Sequence, residues 1–313
     1  MGNEFRDLAD DLENWMSRLP QNVRQIPITN ISIPGSHDSF TANITKDSDI
    51  SPDAEDIVKE LSILGPLFKE VIARWSRTQS FLANDQLIRG IRYFDIRTST
   101  KEGTDEFYIV HSLYSVPLQG CLNEINAFLS THPQEVVILD FQHFFGFDDS
   151  IHKRLTQDII NTFGGKLIPY TNEINTITLK SMASNKYQIF VIYRVKGTTF
   201  WPAETFPNPW PNVDSKEALI NSLDNNLAKR NPNIPFISQC VLTPDAGFII
   251  ANFLSSLEEK CAKELELDRL KWIEAQKAGR GGLNIIIADF IELSDCKYVK
   301  DVINANQSLL NTN

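Results

Sequence analysis

The sequence predicts a single α/β barrel, parallel strands alternating with helices, over the whole of 1–313. Three observations carry this. β-branched apolar runs alternate with amphipathic stretches along almost the entire chain, the pattern of a parallel sheet with crossover helices. No shift in composition marks a domain boundary, and barrels of this length are ordinary as single domains. No glycine-rich phosphate loop follows the first strand, which disfavours a doubly wound sheet.

The elements follow in order. An amphipathic helix is expected over 4–18, and IPITNISI then forms a β-run that ends at Pro34 and Gly35. Residues 51–75 have helical spacing interrupted at Gly65 and Pro66, where a helix interior would break. A second β-run covers 91–96, and FYIVHS makes a third. Helical periodicity over 119–131 stops before His132 and Pro133. EVVILDFQHF is a strongly β-branched run of the buried kind. A helix over 148–163 closes on Gly164 and Gly165, and YQIFVIYR is the next strand. TTFWPAETFPNPWPN, with four prolines and two tryptophans, is a loop. A helix over 215–229, the strand IPFISQCVL and a long helix over 246–276 come next. A glycine break at 279–282, the strand NIIIADFIE and a closing helix over 297–310 complete the chain.

Composition narrows the function. The net charge of −10 comes with no Lys/Arg-rich run, which argues against nucleic acid as a partner. The same charge is repelled by an anionic membrane surface, so lipid contact must use apolar side chains or a local basic patch. No apolar stretch approaches the ~20 residues that span a bilayer. MGNEFRDLADDLENWM lacks the order of a signal peptide, and Arg6 stands where a myristoylation signal needs Ser or Thr. Cys121, Cys240, Cys261 and Cys296 show no metal-ligand spacing and are expected as reduced thiols. The expected location is cytoplasmic, with peripheral contact to membranes.

In β/α barrels the working residues sit at the C-terminal ends of strands. Those ends carry His37 and Asp38 on the first run, Asp95 and Arg97 on the second, and His111 on the third. Asp140, Gln142 and His143 follow on the fourth, Arg194 on the fifth, and Asp289 and Glu292 on the last. Two histidines can act as base and acid in a displacement at phosphorus, one taking a proton and the other giving one. An arginine stabilises charge on phosphoryl oxygens, and carboxylates fix imidazole tautomers. This is the equipment of a metal-free phosphodiesterase. Each residue also has a structural alternative: His37 as a turn residue, Asp95 and Arg97 as an ion pair, His111 as a core histidine, Asp140 as a tie between strands. His132 and His152 are expected at the surface, and His143 stays open. Their joint placement at strand ends is what the alternatives do not predict.

ISIPGSHDS, GIRYFDIR, FYIVHS and EVVILDFQHF together resemble the X-domain of phosphatidylinositol-specific phospholipase C, in the animal type that consists of little more than that domain. IFVIYR, the WP-containing loop, QCVLTP and GGLNIIIADFIEL extend the resemblance to about 22–303. It implies a distorted TIM barrel that cleaves phosphatidylinositol at a membrane surface. The inositol 2-hydroxyl attacks phosphorus, diacylglycerol leaves, and a cyclic inositol phosphate forms. By matching position His37 is the general base, His111 the general acid and Arg97 the phosphate contact. Asp38 supports His111, Asp289 supports His37, and Arg194 contacts inositol, with Asp95 and Gln142 also in the substrate site. The larger signalling relatives bind calcium where this chain has Asp38, Asp95, Arg97 and Gln142. A guanidinium can stand in a cation's place but cannot ligate one, so no cofactor is expected and calcium is not required. Aromatic residues within 63–75 and 199–211 are expected at the membrane. Two other readings stay open, a weak or inactive inositol-lipid binding module and a metal-dependent glycerophosphodiester phosphodiesterase-like barrel.

Overall fold

The computed structural model describes residues 11–54 and 65–311. The expected helical residues 4–10 and 55–64 lie outside them. Eight strands form one mixed sheet: β1 (Ile33–Ser36), β2 (Tyr93–Thr100), β3 (Phe107–His111), β4 (Leu113–Pro117), β5 (Val137–Phe145), β6 (Ile189–Tyr193), β7 (Ile237–Gln239) and β8 (Ile285–Ala288). Six of them run parallel in the order β7-β8-β1-β2-β5-β6. β6, β8 and the first half of β5 are near-continuous apolar runs because both faces are covered, one by the barrel interior and one by helices.

β1 is shorter than IPITNISI suggested. Residues Ile28–Asn30 form a 3-10 turn, and pairing begins only at Ile33. Gly35 is required there, since a Cβ would come within 2.8 Å of the Tyr93 ring.

The third run departs from the parallel expectation. β2 continues past β1 to Thr100, and β3 returns antiparallel along the edge that β1 vacates, Thr98 facing Ile109. The return brings His111 back to the level of Ile96, beside the C-terminal end of β1. β4 then pairs antiparallel with β3.

Among the described residues no ladder joins β6 to β7. The proline-rich loop fills that side. Trp201 pairs with Ile192 of β6, and the Pro207 carbonyl accepts from Ile237 N of β7 at 3.0 Å. Trp201, Phe200 and Phe206 are therefore buried, as is Trp75, and only Trp210 of these aromatics is well exposed. The expectation of a lipid-facing loop is corrected accordingly.

The helices are α1 (Trp15–Arg18), α2 (Pro66–Ser76), α3 (Ala83–Ile88), α4 (Leu118–Thr131), α5 (Asp149–Phe163), α6 (Leu179–Asn185), α7 (Lys216–Lys229), α8 (Ala246–Ala251), α9 (Lys263–Ala275) and α10 (Leu293–Asn304). Asp148 caps α5 by accepting from Ser150 N and Ile151 N, and Ser215 caps α7 in the same way from Ala218 N. The long helix expected over 246–276 is broken. α8 ends at Ala251, where Asn252 folds its amide back onto the Phe248 carbonyl, and the chain resumes through a π-turn at Glu258–Ala262. The closing helix takes up right-handed geometry at Lys297, as expected, after left-handed residues at Ser294, Asp295 and Cys296, and gives way to a 3-10 segment, Ala305–Asn311. No described helix is long and apolar enough to cross a membrane.

Candidate active site

The tight turn after β1 presents His37 and Asp38. Asp38 has a left-handed backbone (φ 39°) and Phe40 another (φ 71°), so the chain reverses within three residues. Ser39 pins the turn to β2: its N–H donates to the Asp95 carbonyl at 2.8 Å, and its hydroxyl accepts from Asp95 N at 3.0 Å. Two residues further along β2, on the face shared with Asp95, is Arg97.

Asp38 is the centre of the cluster. Its Oδ2 lies 3.5 Å from His37 Nε2 and 3.3 Å from His111 Nε2, while Oδ1 forms an ion pair with Arg97 Nε. The remaining ring nitrogens are held from behind. His37 Nδ1 meets Asp289 Oδ1 at 2.8 Å, and His111 Nδ1 meets the Ser76 carbonyl at 2.7 Å. A carbonyl oxygen only accepts, so the His111 proton is fixed on Nδ1 and Nε2 turns to the mouth.

Charge follows from burial and neighbours. Burial alone would lower the His37 pKa, but the carboxylates of Asp38, Asp289 and Asp95 outweigh it and raise it to about 9. For Asp38, burial raises the carboxyl, yet Arg97, His37 and His111 hold it below the usual range. Asp95, buried against the Asp38 charge, is pushed above that range. Arg97 stays charged, since Asp38 and Asp95 override its burial. His143 lies across from Arg97 at the edge of this group, and partial desolvation of its ring together with the Arg97 charge lowers its pKa.

Arg194 and Gln142 occupy a second layer. Arg194 forks onto Asp140, Nε to Oδ1 at 2.8 Å and Nη2 to Oδ2 at 2.6 Å, and Nη2 also meets the Phe206 carbonyl at 3.0 Å. Two of its three nitrogens are thus committed within the protein. Asp140 does tie strands together, as Tyr93 donates to its Oδ2 at 2.6 Å. Gln142 is the extra residue where the β2–β5 register shifts, so that Arg97 faces His143 instead. Its amide approaches Tyr93 Oη at 3.5 Å. Glu292 lies beyond β8 at the start of α10.

His132 and His152 stand apart from the cluster and are less exposed than expected. His132 stacks on Phe128 at 4.0 Å, and His152 meets Tyr193 Oη at 2.8 Å. The sequence reading missed Tyr93, although its period-two spacing from Asp95 and Arg97 was visible. It also missed Ser76, which acts through a backbone carbonyl that leaves no mark in residue type.

Among the described residues, one group of side chains could bring three ligand atoms together: His37, Asp38 and Asp95, within 4.8 Å of one another. They fit calcium poorly. That ion takes about six to eight oxygens, whereas this set offers one nitrogen and two carboxylates, one of them already on a guanidinium.

The sequence profile of the family "Phosphatidylinositol-specific phospholipase C, X domain" matches residues 69–195. PI-PLC X domain-containing protein 3 of Mus musculus is 38% identical over 303 residues, covering 94% of this chain and 93% of its own. PI-PLC X domain-containing protein 2 of Mus musculus is also 38% identical, over 95% of this chain and 88% of its own. The chain belongs to the PI-PLC X domain-containing proteins. In solved structures, the fold of this X-domain protein resembles that of phosphatidylinositol-specific phospholipase C from Staphylococcus aureus. A mutant form of that enzyme gives a TM-score of 0.65 at 19% identity, covering 95% of this chain and 97% of its own. The enzyme from Listeria monocytogenes gives 0.61 at 20% identity, over 95% and 99%. The α/β barrel with its mixed sheet is thus the TIM-type fold of the bacterial enzymes, and the family carries a phospholipase-like fold.

Proposed function

We propose that the protein is a phosphatidylinositol-specific phospholipase C that works without a metal. The observation that carries this reading is the shared carboxylate: two histidine Nε2 atoms and one arginine converge on Asp38 from three elements. A single phosphodiester placed over that carboxylate can touch both rings and the guanidinium. The substrate class itself rests on family membership.

In this mechanism neutral His37 carries its proton on Nδ1, toward Asp289, and Nε2 accepts the proton of the inositol 2-hydroxyl. That oxygen attacks phosphorus, and Arg97 offsets the negative charge building on the phosphoryl oxygens. The bond from phosphorus to the glycerol oxygen breaks as His111 Nε2 gives its proton to that oxygen. Diacylglycerol and cyclic inositol phosphate leave, with His37 protonated and His111 neutral. Water then relays one proton from His37 to His111 and resets the pair, or attacks the cyclic ester by the reverse path, His111 taking the water proton and His37 protonating the inositol 2-oxygen.

Approach to lipid falls to residues following β7 at the barrel mouth. Ile250, Phe253 and Leu254 are exposed there, Leu254 by 76%, and Trp210 stands out from the loop after β6. Apolar side chains on the rim that holds the site suit an interfacial substrate despite the net charge of −10. The protein is then peripheral at membranes.

The metal-dependent alternative meets the guanidinium on Asp38, which repels a second cation. Phosphorus NMR of phosphatidylinositol micelles with purified protein tests the proposal. The resonance of a five-membered cyclic phosphate is expected as first product. Its absence, with inositol-lipid binding retained, would favour the binding module.

A further inference from the structure

α2 ends at Ser76, and Arg77 leads out of it with an extended backbone. Ser76, Thr78 and Gln79 hydrogen-bond to the segments that carry His111, Asp38, His37 and Asp289. The Ser76 carbonyl accepts from His111 Nδ1 at 2.7 Å. The Thr78 hydroxyl donates to the Asp38 carbonyl at 2.8 Å, and the Thr78 carbonyl accepts from Phe290 N at 2.8 Å. Gln79 Nε2 donates to two carbonyls, His37 at 2.8 Å and Ala288 at 2.9 Å. The strap is itself anchored, because Thr78 N and Gln79 N both donate to Thr41 Oγ1. Thr78 and Gln79 are fully buried.

Gln79 adds a side-chain tie at the end of the β1–β8 ladder, where Ser36 faces Ala288 and His37 N already donates to the Ala288 carbonyl at 3.1 Å. His37 follows β1 directly, and Ala288 is the last residue of β8, immediately before Asp289. The amide therefore clamps the two backbones whose side chains make the His37–Asp289 hydrogen bond. Two carbonyl acceptors define which end of the amide points inward, since only NH₂ can serve both. A side chain that merely filled space would not need two donors at this place.

We infer that Gln79 is a positioning residue for the His37–Asp289 pair, the central member of a 76–79 strap that holds both histidines in their working orientation. It touches no substrate and acts through the backbone on either side. The inference rests on the phospholipase reading for its effect on turnover, but its structural content can be read without turnover.

The test compares Gln79→Met with Gln86→Met by proton NMR and kinetics. Gln86, in α3, is an equally buried glutamine whose amide donates to the Phe81 carbonyl just before that helix. Methionine keeps length and volume while removing the donors. Gln79→Met is expected to lose the far-downfield His37 Nδ1 proton resonance and to lower kcat on phosphatidylinositol by about 10²-fold, with KM little changed. Gln86→Met is expected to keep both. Retention of the His37 resonance in Gln79→Met, or equal loss of kcat in the two variants, overturns the inference. If methionine at 79 prevents folding, Gln79→Leu is read by the same two outcomes. Wild-type protein that gives the resonance but no turnover would fail the phospholipase reading and leave the resonance to decide the positioning role.

Discussion

Asp289 Oδ1 stands 2.8 Å from His37 Nδ1 and leaves the opposite nitrogen, Nε2, as the one that can take a substrate proton. The pair has a consequence for pH. Burial depresses the His37 pKa, the facing carboxylates of Asp38, Asp289 and Asp95 override it, and the ring titrates at about 9. Below that pH His37 holds two protons and cannot act as a base. The kcat/KM profile is therefore expected to rise with pH along a limb well above the ordinary histidine range. Asp289→Asn removes a negative charge and lowers the ring's proton affinity, so the limb moves to lower pH, by about one unit or more. A limb that does not move in this variant contradicts the pairing.

Arg97 is expected to resist conservative replacement. Lysine places one point charge where a planar fork now spans Asp38 and the mouth. Arg97→Lys should lower kcat by about 10²-fold, the scale of losing one oxyanion donor. Activity within a few-fold of wild type would remove Arg97 from the phosphate site.

Lipid contact can be separated from chemistry. Phe253→Ser together with Leu254→Ser removes two exposed apolar side chains without touching the core. Binding to phosphatidylinositol vesicles, followed by co-sedimentation, should fall by about tenfold or more. The melting temperature and hydrolysis of a short-chain soluble substrate should stay near wild type. Unchanged vesicle binding would place the membrane-facing surface elsewhere.

Stability has its own sensitive point. Arg92 and Glu135 form a fully buried ion pair, Glu135 Oε2 accepting from Nε at 2.9 Å and Nη2 at 2.8 Å. Glu135 also accepts from Ser17 N at 2.8 Å, tying α1 to the start of β5. Glu135→Leu leaves a buried guanidinium unpaired and is expected to cost about 3–5 kcal/mol in urea unfolding. The double variant Arg92→Leu with Glu135→Leu should recover part of that loss. A cost below about 1 kcal/mol for the single change would show that solvent reaches the site.

The sequence carried the barrel strands and much of the site for separable reasons. VILDF, IFVIY and IIIA were legible because strands covered on both faces read as unbroken apolar runs. His37 was legible because the C-terminal ends of the parallel strands converge, whereas Arg97 comes from the middle of β2 and His111 from the antiparallel return of β3. Strand direction was not, since FYIVH has the same residue pattern whether it runs parallel or returns beside β2. The aromatics of 199–211 misled because a loop that completes a barrel wall is as rich in Trp and Phe as one that meets lipid. The apolar spacing continued through 252–257, so the break between α8 and the π-turn had no clear mark. Ser76 and Gln79 act on or through backbone carbonyls, which no residue type announces. The inositol contact expected of Arg194 came from the family resemblance, and the fork of this residue on Asp140 was not legible beside it.

The two-histidine, metal-free reaction is tested most directly by inositol phosphate release from phosphatidylinositol micelles in excess chelator. Wild type, His37→Ala and His111→Ala are measured together, with His143→Ala as the neighbouring histidine outside the proposed proton path. The proposed mechanism predicts turnover by wild type and His143→Ala, and a fall of about 10²–10⁴-fold in each of the other two. Silence in chelator with recovery on added calcium would contradict it, as would undiminished turnover by either His37→Ala or His111→Ala.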